Sequence, residues 1–325
     1  MIATSLLLVT SILVTTETFS FVGPNGWEFQ GKMHVPENQT GPAVLMIGGG
    51  IGNDLNWTTP GTLLVGEVDK QITISGKSHE DATILADALV SKGCVVMHYS
   101  TVSKDDPKCD LYPYELELID PQSVMELARA AYITFKQHPD VQNHTLVILG
   151  HSMGAQRAVL LAKENVDISS LVLLSGAQMT ATGKEDHGGN AHREASTLLS
   201  EPGLEVYDFD KDGEVRLWEI SGVLAINARN KLGKKKLPTK DSSSMPFGEP
   251  ILDTLKRPTL AMYGSLDEYQ SCHAVILSEK LSEREWLDLR VVPNVGHQLG
   301  PEINGKIGPI SASVCNAIAQ WLVAQ

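Results

Sequence analysis

The sequence predicts an α/β protein: a mostly parallel central sheet flanked by helices, with one inserted cap. Three observations predict it. Short continuous apolar runs, "PAVLMIG" (42–48), "CVVMHYS" (94–100) and "TLVILG" (145–150), read as strands buried on both faces. Segments with helical spacing of apolar residues alternate with them, as in "EDATILADALVSKG" (80–93) and "DPQSVMELARAAYITFKQH" (120–138). The alternation then breaks over 177–257, which is polar, Gly-rich and too long for a plain connection.

Taken in order, "TFSFV", a Gly-Pro-Asn-Gly turn and "WEFQGKMHV" (27–35) predict a hairpin. Helix 80–93 stops at a glycine, and helix 120–138 carries Pro121 in its first turn, where no backbone donor is lost. "AQRAVLLAKE" (155–164) predicts a helix and "SLVLLSG" (170–176) a strand. Beyond the insertion come strand "TLAMYG" (259–264), a helix near 270–281, strand "WLDLRVV" (286–292) and a terminal helix near 308–324. The expected organisation is a core of residues 17–176 and 258–325, with the cap at 177–257 between its sixth and seventh strands. No internal repeat is present.

Composition narrows the partners. The chain has 325 residues, 42 % hydrophobic and 20 % charged, which is globular. A formal net charge of −13 argues against nucleic acid or an anionic membrane surface. The one basic cluster, "NKLGKKKLPTK" (230–240), has no interleaved aromatics and reads as a solvated loop. "MIATSLLLVTSILV" is too short to cross a bilayer and resembles the core of a signal peptide over residues 1–16, although no Lys or Arg precedes it. The expectation is a secreted or periplasmic protein, with the cytoplasm as the alternative. Asn38, Asn56 and Asn143 stand in sequons, which matter only in a eukaryotic secretory pathway. Of four cysteines, Cys94 and Cys315 read as core residues, while Cys109 and Cys272 fall in expected loops where they could pair.

The chemistry is concentrated after the strand at 145–150. Gly150-His151-Ser152-Met153-Gly154 is a G-x-S-x-G pattern between a buried strand and a helix. In that context the turn lifts the serine hydroxyl above the sheet edge, and the helix N-terminus favours developing negative charge. A serine is a poor nucleophile at neutral pH and needs a base, which needs an orienting acid. Asp267 follows one later strand and His297 follows the last, so both belong to the same sheet edge as Ser152. Glu268 is the alternative acid. His98, His138, His144 and His151 are less well placed, lying within a strand, at its far end or in the elbow itself. "MIGGGIGND" (46–54) ends a strand in three glycines whose bare amides can approach an oxyanion. The expected donors are the amide of Met153 and one from Gly49 or Gly50.

The pieces "GGGIGND", "GHSMG", "GSLD" and "GHQL", in that order after successive strands, resemble the α/β-hydrolase superfamily. Within it the chain is most similar to dienelactone-hydrolase-like and acyl-esterase-like groups. The resemblance runs from Thr18 to the C-terminus apart from the insertion. It implies hydrolysis of a small-molecule ester or thioester through an acyl-enzyme on Ser152. One departure is "HYSTVSKDD" (98–106), where relatives often carry an Arg-Gly-x-Gly turn.

Inside the insertion, "YDFDKDGEVRLWEI" (207–220) fits a calcium loop, D-x-D-x-D-G-x₅-E. Asp208, Asp210 and Asp212 occupy the first, third and fifth positions, and Gly213 the sharp turn. Glu214 offers its carbonyl, and Glu219 takes the bidentate place. Pro202-Gly203 leaves little room for an incoming helix, and no second such loop is present. The expected role of calcium is to order a polar cap over Ser152. "HGGNAH" (187–192) is a much weaker candidate for a transition metal, having no carboxylate partner.

The leading expectation is a serine hydrolase with Ser152, His297 and Asp267 as its triad and a calcium-stabilised cap. The alternatives are a calcium-dependent binding module on a silent fold, or a peptidase or acyltransferase using the same three residues.

Overall fold

The computed structural model describes residues 13–49, 53–59, 63–65, 72–74, 77–103, 121–177, 190–232, 248–268, 270–303 and 306–325. Eight strands make the main sheet: β1 (Val14–Val22), β2 (Glu28–Pro36), β3 (Ala43–Ile47), β4 (Val95–Tyr99), β5 (Leu146–His151), β6 (Ile168–Leu174), β7 (Thr259–Gly264) and β8 (Leu287–Val292). Their order across the sheet is β1-β2-β4-β3-β5-β6-β7-β8. β1 and β2 form the expected hairpin, in register from Val14↔Pro36 to Val22↔Glu28. β2 pairs antiparallel with β4, and every pair from β4 to β8 is parallel. β1 begins at Val14, ahead of the expected "TFSFV", and so takes in residues 14–16 of the apolar run read as a leader. Residues 1–12 of that run lie outside the described residues.

Every side chain of β3 and β4 is buried, as a strand covered on both faces requires. Alternation divides them between two cores: Leu45 and Ile47 face one, Val44 and Met46 the other. The first core is closed by α2 (Pro121–Gln137), α3 (Met153–Glu164) and α7 (Cys272–Leu281), through residues such as Phe135, Leu161 and Leu277. The second is closed by α1 (Asp81–Val90) and α8 (Ala312–Ala324), through Leu85, Leu89, Ile318 and Leu322.

The described part of the insertion contains α4 (Asn190–Leu198), α5 (Leu217–Leu232) and α6 (Gly248–Leu255). α5 packs on α4 and on α7, whereas α6 packs on α3 and buries Ile251 and Leu252 in the first core. The last turns of the expected cap are therefore part of the helical layer over the first core. Cys94 and Cys315 are buried in the second core, as expected. Cys272 is not in a loop: it opens α7 and is buried. Cys109 lies outside the described residues. Among the described residues, no helix is long and apolar enough to cross a membrane.

Candidate active site

Because β5, β7 and β8 run parallel, the loops after their carboxyl ends meet at one sheet edge. Ser152 stands between β5 and α3 with φ 53° and ψ −121°, a left-handed backbone that a non-glycine residue adopts at a cost. Its amide donates to the Leu174 carbonyl at 2.8 Å, and its carbonyl accepts from Ala155 and Ala177, both at 3.1 Å. The strained turn is made by the serine itself; the glycines of the motif supply clearance. A Cβ on Gly150 would lie 2.3 Å from the Gly154 carbonyl oxygen, and one on Gly154 would lie 2.2 Å from that of Ile47.

Asp267, on the loop after β7, is 3 % exposed. Its Oδ1 accepts from the Gln270 amide at 3.0 Å, which fixes the carboxylate plane. Its Oδ2 lies 2.8 Å from Nδ1 of His297, on the loop after β8. A buried carboxylate there selects the tautomer with hydrogen on Nδ1, leaving Nε2 as the basic nitrogen. Ser152 and His297 line the same cavity. Glu268 points elsewhere: its Oε2 accepts from the Trp218 amide at 3.2 Å, and burial raises its carboxyl pKa.

His151 supports the site without replacing His297. Its Nε2 donates to the His297 carbonyl at 3.0 Å, and the two rings lie 5.0 Å apart. Burial, and then the nearby His297, lower its pKa to about 4, so it stays neutral.

At the Gly-rich turn, a Cβ on Gly49 would sit 2.6 Å from Cβ of Ser152, so only glycine allows this approach. Met153 is the first residue of α3, beside Ser152. Gly50 lies outside the described residues. Arg157 was not anticipated: it is 2 % exposed on α3, and its guanidinium donates to the Gly48 carbonyl at 3.0 Å. The available signal was a lone charge on the inward side of "AQRAVLLAKE".

The cavity holds about 270 Å³. Gly49, Trp57, Asp81, Ser152, His297 and Ile310 are among its walls, and no described residue of the insertion is. Asn53, Thr58 and Thr59, from the same segment as Trp57 after the glycines, also line it. Asn53 is bracketed there by Thr101, whose Oγ1 accepts from its amide and whose own amide donates to its carbonyl, both at 2.9 Å. Thr101 belongs to the stretch that departs from the Arg-Gly-x-Gly turn of relatives.

In the acidic loop, one carboxylate oxygen each from Asp208, Asp210 and Asp212 lies within 4.8 Å of the others. Lys211 (φ 59°) and Gly213 (φ 88°) make the sharp turns. Backbone amides of Gly213 and Glu214 donate to Asp208 (3.1 Å) and Asp212 (2.9 Å). Burial, then Asp212, raise the pKa of Asp210. One expected ligand is otherwise engaged. Glu219 is fully buried, stands outside the three-carboxylate group, and accepts from the amides of Phe209 and Arg216, both at 2.6 Å. The Glu214 side chain pairs with Arg216 at 2.9 Å, which leaves its carbonyl as the group the motif calls for. The approach to the loop is a short 3₁₀ turn, Leu204–Tyr207, in keeping with Pro202-Gly203. Of "HGGNAH", residues 187–189 lie outside the described residues.

No protein-family model matches the chain, and no curated protein matches it by sequence. Solved structures do resemble it. A dienelactone hydrolase from Anabaena variabilis aligns over 96 % of this chain and 98 % of its own, at 15 % identity and a TM-score of 0.52. The esterase domain of a Rhodothermus marinus protein aligns over 95 % and 99 %, at 14 % and 0.52. An esterase from Pyrobaculum calidifontis aligns over 95 % and 85 %, at 16 % and 0.53. With the strand order and helix layers above, these likenesses define the α/β-hydrolase fold.

Proposed function

We propose that the protein is a serine hydrolase of small carboxylic esters or thioesters, working through an acyl-enzyme on Ser152. The observation that carries this reading is the 2.8 Å contact between Asp267 and Nδ1 of His297, on the wall of the cavity that also receives Ser152. In the proposed reaction, His297 Nε2 accepts the Ser152 proton as Oγ attacks the carbonyl, then returns it to the leaving alcohol or thiol. Asp267 holds the imidazole in its tautomer and stabilises the imidazolium. The amide of Met153 and one from Gly49 or Gly50 receive the oxyanion. Water then enters, His297 takes its proton, and the acid is released as Ser152 is regenerated. The dienelactone hydrolase and esterases of the same fold lend support from reactions of this class.

The test is labelling with a fluorophosphonate probe beside an ester and thioester panel. Wild type should be labelled and should turn over at least one short-chain ester, and Ser152→Ala should do neither. Full activity in Ser152→Ala would sink the reading.

We also propose that the acidic loop holds calcium, through Asp208, Asp210, Asp212 and the Glu214 carbonyl. The donor set is all oxygen, as a hard cation requires, and Asp208 Oδ1 is buried without a hydrogen-bond partner among the described residues. The bound ion supplies positive charge that relieves repulsion among the three aspartates. The chain's own part is to order the loop that leads into α5.

A further inference from the structure

The loop that carries His297 is a closed turn. The Gly296 amide donates to the Gly300 carbonyl, and the Leu299 amide donates back to the Gly296 carbonyl, both at 2.9 Å. A bridge between Val295 and Pro301 closes the base of the turn, and Glu302 follows at once, paired antiparallel with Ile307. Glu302 is thereby returned to the chain just ahead of His297. Its side chain lies against Gly296, where a Cβ would be 1.7 Å from Oε1 and 2.1 Å from Cδ. Glycine at this position is what makes room for the carboxylate. The carboxylate accepts from the His297 amide. An amide nitrogen is only a few bonds from its own side-chain ring, so the charge rests within roughly 6 Å of the imidazole.

Three titratable groups surround His297. Asp267, from the loop after β7, meets Nδ1; His151, at the end of β5, is kept neutral by burial; Glu302 approaches from the backbone side. Glu302 is half-buried and stands outside the cavity walls. Burial, then Asp267, push its carboxyl above the usual value, while the His297 amide and ring act the other way. Two carboxylates thus converge on one imidazole, and their repulsion is relieved when the ring takes a proton.

Resting on the proposed hydrolase reading, we infer that Glu302 is a positioning residue for the general base. It fixes the His297 backbone and supplies a second negative charge that stabilises the imidazolium formed as Ser152 loses its proton. A neutral imidazole gains little from that charge and an imidazolium gains much. The stabilisation is therefore felt in the transition state, and it raises kcat rather than lowering KM. Asp267 acts differently, on the ring nitrogen and its tautomer.

The experiment uses Glu302→Gln, whose amide oxygen can still accept from the His297 amide although the charge is gone. With para-nitrophenyl acetate, kcat should fall about fivefold and KM should stay within about twofold. The acid limb of the kcat/KM profile should move to lower pH, because an imidazole with one fewer negative neighbour protonates less readily. A fall in kcat with the acid limb unmoved would mean that Glu302 only props the loop, and would overturn the inference. A kcat equal to that of wild type would overturn it as well. A second measurement needs no turnover. In Ser152→Ala, the His297 ring-proton resonance, identified by its loss on adding His297→Gln, should titrate at lower pH once Glu302→Gln is added. An unmoved titration would also overturn the inference. If wild type hydrolyses no ester while the titration moves as expected, the hydrolase reading fails and the action of Glu302 on His297 stands.

Discussion

Trp218 and Ser265 are joined by a hydrogen bond, the indole Nε1 donating to the carbonyl at 2.9 Å. The amide of Trp218 also meets Glu268 Oε2. Both acceptors flank Asp267 in the chain, so the start of α5 is fastened to the turn that carries the partner of His297. α5 begins where the acidic loop ends. In its described part, the insertion braces the acid loop, while residues of the segment 53–59 line the cavity.

Trp218→Phe keeps the ring and deletes the donor, leaving the Ser265 carbonyl unpaired at a cost of about 1–3 kcal/mol. Calorimetry should find a melting temperature a few degrees lower. Steady-state kinetics should find kcat reduced with KM little changed, because the defect reaches Asp267 rather than the substrate. An unchanged melting temperature and kcat would remove the brace from the account.

Asp267→Asn offers His297 an amide in place of a carboxylate and favours the wrong tautomer. Its kcat should fall on the order of a thousandfold or more. Glu268→Gln should stay within a few-fold of wild type, since that carboxylate faces Trp218. If Glu268→Gln did the greater damage, the acid would have to be reassigned.

Two buried histidines set a pH limit. His34 Nε2 and His98 Nε2 lie 2.9 Å apart and share one hydrogen, so the accepting ring, His98, whose Nδ1 donates to the Leu55 carbonyl, must be neutral. Burial is the main cause that lowers His34 to about 4 and His98 to about 3, with Lys32 adding repulsion to both. Asp87 near His34 and Asp54 near His98 act weakly the other way. The unfolded chain takes up these protons near 6.5, the folded chain only near 4 or below. Stability is therefore complete above the unfolded value and declines as pH falls from 6.5 through about 4. Melting temperatures across this window should slope steeply in wild type and less in His34→Gln. Identical slopes would show that the pair is not the cause.

Calcium should raise the melting temperature, and a chelator should lower it. Saturation at a hundred times Kd contributes about 2.7 kcal/mol if only the folded state binds. Asp208→Ala combined with Asp210→Asn should abolish the calcium-dependent shift. A chelator that leaves the wild-type transition in place would eliminate the metal.

The strands and the serine elbow were legible because their signals are local. An apolar run buried on both faces, or a glycine pair around a serine, is written in consecutive residues. Asp267 and His297 could be found because each directly follows a readable strand. Trp57 could not be found this way. Its segment has no period, and its conformation is held by His98, Thr101 and Ala82, each tens of residues away. For Arg157 the helix offers a lone inward charge as a signal, but no sign that its partner is the carbonyl of Gly48. Glu219 shows the reverse problem. It fills the motif's last position, but its carboxylate is taken by the amides of Phe209 and Arg216, which spacing cannot reveal.

The order of strands across the sheet has a consequence for biosynthesis. Ser152 follows β5, in the middle of the sheet, whereas Asp267 and His297 arrive with β7 and β8 at its far side. A chain emerging from the ribosome displays Ser152 well before Asp267 and His297. On the proposed reading, Ser152 is an ordinary alcohol until the last strand has docked. Reactivity toward an active-site probe would then report, in a growing or refolding chain, the moment at which the sheet is complete.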